Sequence, residues 1–320
     1  MLTHPRMQPA GACTNPVEGR VFWKAGKSLW YFAALGTTVL VAPRMIEPGA
    51  ILVSFVLTIV TLCLGHTVGM HRRLIHQSFD CPLWVERILV YLGVIVGIAG
   101  PHRIVYLHDI RDWAQRHRAC HPFFIHTQAW WTDCFQQLHC DIRLDHPPRF
   151  ALEDRLARDP FYAWLERTWM LQQIPLAVAL YFAGGTAWVV WGVGVRLCVS
   201  LTGHWLVGYL AHNRGRRAWH IDGAAVQGFN VPGFALLTMG ESWHNNHHAF
   251  PESARLGLGS REWDPGWIVL RTLERAGLAW NLVTPEQLPP RRERVELAPP
   301  RAAGRLDVSA LSKANGPSLY

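Results

Sequence analysis

The chain has 320 residues, of which 50% are apolar and only 17% charged, with 16 Trp. A soluble domain is usually nearer a quarter charged, and here the apolar residues are blocked into runs. A disordered or fibrous chain is excluded, and a membrane protein with a polar part attached is indicated. The net charge of +8 suits anionic headgroups, an acidic protein or an acidic ligand. The Arg residues flank apolar runs and form no stripe, which argues against nucleic acid. The seven Cys are odd in number and include no C-x-x-C, so neither a disulfide framework nor a thiol zinc site is indicated.

In chain order, residues 1–27 form a polar N-terminal segment containing Pro5, Pro9 and Pro16, without the pattern of a signal peptide. Residues 28–43 carry no charge and reach roughly 24 Å as a helix, a short membrane span. Pro48 and Gly49 turn the chain into a second apolar helix over about 50–66. The run 88–100 is too short to cross and reads as an interfacial or buried helix. Between 168 and 195 no charge occurs, with Gly184 and Gly185 in the middle. That pattern predicts a second hairpin, about 168–183 and 186–206, with Arg196 snorkelling from the last helix. The stretches 67–167 and 207–285 are polar and rich in His and Arg, and 286–320 has the composition of a loose tail. Lys and Arg concentrate before 28, between 72 and 167, and after 213. The positive-inside rule then places both termini and both polar blocks in the cytosol. The expected fold is all-α and polytopic: four transmembrane helices in two hairpins, a membrane domain over 28–285, and a cytosolic helical cap.

Seventeen His is the unusual figure. His71 and His76 end the second span; five residues on an α-helix turn them roughly 140° apart, which would aim them at two neighbouring metals, although interfacial His would also sit here. His117 and His121 share a helix face at i, i+4, a spacing that suits one metal but also occurs on ordinary surface helices. His244, His247 and His248 stand within five residues, a density with no ordinary packing role. His204 lies near the cytosolic end of the fourth span. These eight imidazoles suit a transition metal; a single zinc needs only three or four ligands, so eight suggest two metals, and two irons beside an acyl-sized apolar layer would suit O2 chemistry on a lipid.

The strings G-x-T-x-G-x-H-R at 65–72, W-A-x-x-H-R-A-x-H at 113–121 and G-E-x-x-H-N-x-H-H-A-F-P at 240–251 resemble the three His boxes of the membrane fatty acid desaturases, closest to the acyl-CoA delta-9 (stearoyl-CoA-type) branch and its bacterial relatives. The resemblance covers about 28–280. It implies a four-helix membrane stem with a cytosolic cap. It further implies a His-ligated di-iron site (two Fe2+) that uses O2 to place a cis double bond in a saturated acyl chain, acyl-CoA being the expected substrate. The setting it implies is a bacterial inner membrane with the metal site on the cytosolic side.

The sequence departs from the family twice. Cys120 stands where the middle His of the second box belongs; His108, where that branch has Asn, or His126 would compensate. Ser200, one turn before His204, stands where the family often has an Asn that holds a metal-bound water. Asp109, Asp112, Asp133 and Glu241 are candidate acceptors for ligand imidazoles. No flavin, NAD or H-P-G-G string occurs, so electrons are expected from a separate carrier, a ferredoxin or cytochrome b5-type protein, drawn to the basic face. A membrane di-iron hydroxylase or ketolase would use a similar site, and a membrane zinc hydrolase only part of it.

Overall fold

Pro48, which reads as part of a turn, starts the most apolar helix: its fixed φ suits the first helical position, where a missing N–H costs nothing. The computed structural model describes residues 6–297. The elements are β1 Met7–Gln8, β2 Gly19–Trp23, α1 Ala25–Gly36, α2 Pro48–Val60, α3 Leu83–Ile95, α4 Pro101–Gln115, α5 Pro122–Ile125, α6 Trp130–His139, β3 Cys140–Leu144, β4 Arg149–Phe150, α7 Asp154–Ala157, α8 Pro160–Thr168, α9 Gln173–Val189, α10 Arg196–Asn213, β5 Trp219–Ile221, α11 His244–Ala249, α12 Pro265–Arg275 and β6 Arg294–Glu296. The chain is mostly helical, but not purely so. Three two-stranded ribbons pair β1 with β4, β2 with β3, and β5 with β6. They anchor both ends of the described residues. The N-terminal segment is strapped into the cap by five residue pairs of β2 and β3, and the supposed loose tail forms β6 against β5. The remainder of that tail, 298–320, lies outside the described residues, as do residues 1–5.

Among the described residues, two helices are long and apolar enough to cross a membrane, Pro48–Ile75 and Gln173–Asn213. The first continues α2 through Thr61–Ile75, which is wound with i→i+5 hydrogen bonds. It lies tightly on α3: a Cβ on Gly65 would meet Leu92 backbone at 2.3 Å, and one on Gly69 would meet Leu89 backbone at 2.6 Å. Small residues four apart let the two backbones touch. The second is broken at Gly185, whose φ of +74° and ψ of −163° leave the helix. Gly192 sits against Leu180, which two residues twelve apart on a straight helix, roughly 18 Å apart, could not do. The chain therefore reverses at the glycines. α1 runs on through Thr37–Val41 and Ala42–Arg44 and packs its Thr37 on Gly194.

Arg196 does not snorkel. It is fully buried and donates to the carbonyls of Gly192 and Ile95 and to Gln173 Oε1, tying α10 to the C-terminal end of α3. The main core lies under the cap, where Met70, Leu74, Val90, Val94, Val105 and Leu165 pack between α3, α4, α8 and the end of the Pro48–Ile75 helix.

Candidate metal centre

Two groups of imidazoles converge where the long helices meet the cap. His71, His76, His108 and His247 form one; His212, His244 and His248 form the other, with candidate ligand atoms within 4.8 Å of one another in each group. The i→i+5 winding explains the first. It adds a residue to each hydrogen-bonded ring, so five residues make close to one turn, and His76 N donates to His71 O at 3.0 Å. His71 and His76 therefore point the same way, with ring centroids 4.8 Å apart, instead of diverging as α-helical geometry predicts. α4 supplies His108, whose Nε2 lies 3.3 Å from His76 Nε2. α11 supplies His247 to one group and His244 and His248 to the other.

The short helix α11 is held by a buried amide network. Asn230 Oδ1 accepts from the backbone of Asn245 and Asn246, and Asn246 Nδ2 donates to Leu256 O and Glu262. Gly228 lies beneath, where a Cβ would meet His244 O at 2.7 Å. Glu241 Oε2 lies 2.6 Å from His71 Nδ1 and Glu241 also pairs with Arg72, which is anchored in turn by Asp264 at 2.8 Å. A carboxylate this close to the far nitrogen favours a proton there and leaves Nε2 to ligate. In the second group, His212 Nδ1 donates to Gly208 O at 2.7 Å, which puts the lone pair on its Nε2. That atom lies 3.2 Å from His244 Nε2, which is 3.0 Å from His248 Nε2.

The donor set fits metal ions. Nitrogens about 2.1 Å from one metal stand roughly 3.0–3.4 Å apart at right-angled or tetrahedral geometry; the His76–His108, His212–His244 and His244–His248 separations fall in that range, and the groups as wholes lie within 4.8 Å. Burial, reinforced by the neighbouring imidazoles, pushes His76, His244 and His247 well below the ordinary histidine value, and burial pushes His248 down to about 4. Those four rings are thus neutral, as ligands must be, whereas His108, despite its burial, is raised by Asp112 and Asp109.

His117, His121 and His204 belong to neither group. α4 ends at Gln115, and His117 turns its Nδ1 back onto Trp113 O at 2.7 Å. His121 caps α5 through Phe123 N. The i, i+4 spacing presumed a helix that stops two residues too early. His204 stacks edge-on with His66 at 5.1 Å, two turns deeper along α10 than the metal groups. Cys120 packs in an apolar cluster with Trp113, Phe123 and Phe124, and burial raises its thiol to about 11, so it stays protonated and inert. His126 stacks on His212 with centroids 5.0 Å apart; its Nδ1 faces Asp133 and its Nε2 accepts from Arg111, which leaves it no free nitrogen. His212 was missed in the sequence. Its signal was depth: it sits at the polar end of its helix, beside Asn213 and Arg214, level with the end of the Pro48–Ile75 helix.

No family model matches the chain. Among curated relatives, it is 32% identical over 289 residues to the palmitoyl-monogalactosyldiacylglycerol delta-7 desaturase of Arabidopsis thaliana, covering 84% of this chain and 73% of that one. It is 34% identical over 254 residues to the sn-1 stearoyl-lipid 9-desaturase of Anabaena variabilis, covering 78% and 89%. The chain belongs to the fatty acyl and lipid desaturase family. It is therefore an oxidoreductase of that family. An acyl-CoA 5-desaturase of Anemone leveillei is 30% identical over 250 residues, with 74% and 73% covered. The desaturase relatives thus include both acyl-lipid and acyl-CoA enzymes and differ in the position their names give, so the acyl-CoA delta-9 branch is not singled out.

Proposed function

We propose that the chain is an O2-dependent acyl desaturase. It takes a saturated chain carried on CoA or a lipid, gives a cis double bond at the 9 position, and binds one iron in each imidazole group. The observation that supports this most is the pairing of the two groups on one short helix: α11 contributes His247 to one and His244 and His248 to the other, so two metals would stand side by side. The irons, when bound, supply O2 activation. The protein's residues hold neutral imidazoles in place through Glu241, Gly208 O and the Asn230 network, and α11 sets the spacing of the two groups.

The overall reaction removes two hydrogens from adjacent methylenes and reduces O2 to two waters, drawing two electrons and two protons from outside. A separate ferredoxin or cytochrome b5-type carrier would supply the electrons; the exposed Arg214, Arg216 and Arg217, just beyond His212, suit an acidic one. The 9 position rests on the sn-1 stearoyl-lipid 9-desaturase, which the chain covers most fully of the relatives named. Four membrane crossings are supported by the reversal at Gly185 and by α1, and the cytosolic side for the metal groups by the Lys and Arg that flank them. The helix α1 exposes Leu29 and Phe32, and its continuation exposes Val39 and Leu40, as lipid-facing helices do.

Expression in a host unable to make unsaturated acyl chains, followed by fatty acid analysis, tests the reading. A new cis-9 alkene is expected. A hydroxylated chain would favour the hydroxylase alternative, and an unchanged profile from iron-loaded protein supplied with electron donor would contradict desaturation.

A further inference from the structure

One part of the cap exposes an apolar surface that the metal groups do not use. From 231 to 240 the chain carries no charge. In this stretch Leu236 and Leu237 are 60% and 67% exposed, and beside it Trp263 and Ile268 are 64% and 53% exposed. The two segments are joined directly: Gly266 N donates to Met239 O at 3.3 Å, and Trp243 Nε1 donates to Trp263 O at 2.7 Å. A Cβ on Gly240 would meet Asp264 Oδ1 at 2.5 Å. Buried Ala235, Trp243 and Leu256 pack together beneath them. Four large apolar side chains thus stand exposed on adjoining segments.

Their depth follows from the helix they lie against. A Cβ on Gly266 would meet Thr67 Cγ2 at 2.5 Å and Arg72 Nη1 at 2.4 Å, and Trp267 and Leu270 share a cluster with Leu64 and Val68. Glu47 bounds the apolar run at its other end. From Pro48 to Thr67 the helix rises no more than roughly 28 Å, against about 30 Å for the hydrocarbon core of a bilayer. The far boundary of that core therefore falls at Thr67 or just beyond it, level with the start of α12. Arg261, Arg271 and Arg275 are exposed along the same segment, and the Arg271 guanidinium lies 5.7 Å from the centre of the Trp267 ring. The carboxylates nearby are engaged: Glu274 with Arg271, Asp264 with Arg72, and Glu262 with Asn246 and Leu258 N. Apolar side chains edged by Trp and Arg are the composition of a surface that lies among headgroups, and the unmatched positive charge suits anionic ones. We propose that Leu236, Leu237, Trp263 and Ile268 form a membrane-docking surface of the cap, seated at the boundary of headgroups and acyl chains, and that Arg261 and Arg275 recruit anionic phospholipid to it. The proposal rests on the Pro48–Ile75 helix crossing the bilayer and goes beyond the desaturase reading.

Photo-crosslinking of the full chain tests it. The photoreactive residue p-benzoylphenylalanine replaces Leu237 in one variant, Trp263 in a second and, as a lipid-facing reference, Leu52 of α2 in a third. Monodisperse preparations are placed in nanodiscs of equal phosphatidylglycerol and phosphatidylcholine, irradiated and weighed by mass spectrometry. Phospholipid adducts are expected at all three positions. At Leu237 and Trp263 phosphatidylglycerol should exceed phosphatidylcholine at least threefold, and Arg261→Glu with Arg275→Glu should bring that ratio close to one. Adducts at Leu52 with none at Leu237 and Trp263 would overturn the surface. So would a crosslinked second copy of the chain in place of lipid, which would make this face a contact between copies. Lipid adducts that ignore the headgroup, or a ratio that survives both arginine substitutions, would overturn the recruitment of anionic lipid. Alkene formation by the wild type in the same nanodiscs bears on the desaturase reading alone, so the two can fail separately.

Discussion

His108 stands on α4 where a family member would carry Asn, and its Nε2 meets His76 Nε2 at 3.3 Å. Cys120, the other departure, is turned into an apolar cluster. The pair is therefore not a simple exchange at one coordination position. Removing His108 should leave the first group with three imidazoles. His108→Asn is expected to weaken iron binding in the first group, so that one iron per chain is lost to a chelator well before the wild type loses any, and His117→Ala to leave chelator resistance unchanged, as metal analysis of purified protein would show. Wild-type chelator resistance in His108→Asn, or weakened iron in His117→Ala, contradicts the grouping. Protonation offers a second check. His248 is held at about 4, against about 6.5 in an unfolded chain. Below 6.5 the unfolded chain binds more protons, so stability must fall with pH. Thermal melting of the metal-free protein should thus be insensitive above pH 7 and drop progressively below about pH 6.5, His76, His244 and His247 adding to the effect; a flat profile would mean that none of these rings is buried neutral.

At the scale of elements, the end of the Pro48–Ile75 helix does most to assemble the site. Its i→i+5 winding turns His71 and His76 to one side, and Gly65 and Gly69 bring it onto α3. Gly69→Val should destabilise the protein by about 1–3 kcal/mol through overpacking against Leu89, and by turning the helix it should also lower iron in the first group. A variant as stable as the wild type would show that the contact has room to spare. α3 is pinned at its other end by buried Glu86, which accepts from Tyr162, Arg73 and Arg155. Glu86→Gln would leave Arg73 without its nearest carboxylate and is expected to cost about 3–5 kcal/mol, read by denaturant unfolding in detergent.

These same elements show what the sequence could and could not disclose. The third box was legible because three His in five residues have no packing role. The long apolar helices and the glycine reversal followed from absent charge and from Gly184-Gly185. His117 and His121 fall outside the two groups because i, i+4 spacing says nothing about where a helix stops, and α4 ends at Gln115. The divergence predicted for His71 and His76 presumed α-helical winding. Nothing in the composition of 61–75 announces an i→i+5 ladder. The three ribbons were invisible because their strands run two to five residues and pair over long sequence separations.

For the whole molecule, the cap and the membrane helices form one construction around the metal groups. The first group draws His71 and His76 from the membrane helix, His108 from α4 and His247 from α11; the second draws His212 from α10 and His244 and His248 from α11. Arg6 joins the N-terminal strap to this centre by donating to Ile75 O and pairing with Asp109 and Glu153. The central claim is that two metals bind, one in each group. Anomalous diffraction at the iron edge from iron-loaded protein tests it directly. Two peaks are expected, one among His71, His76, His108 and His247 and the other among His212, His244 and His248. A single peak, or a peak at His117, His121 or His204, would contradict it.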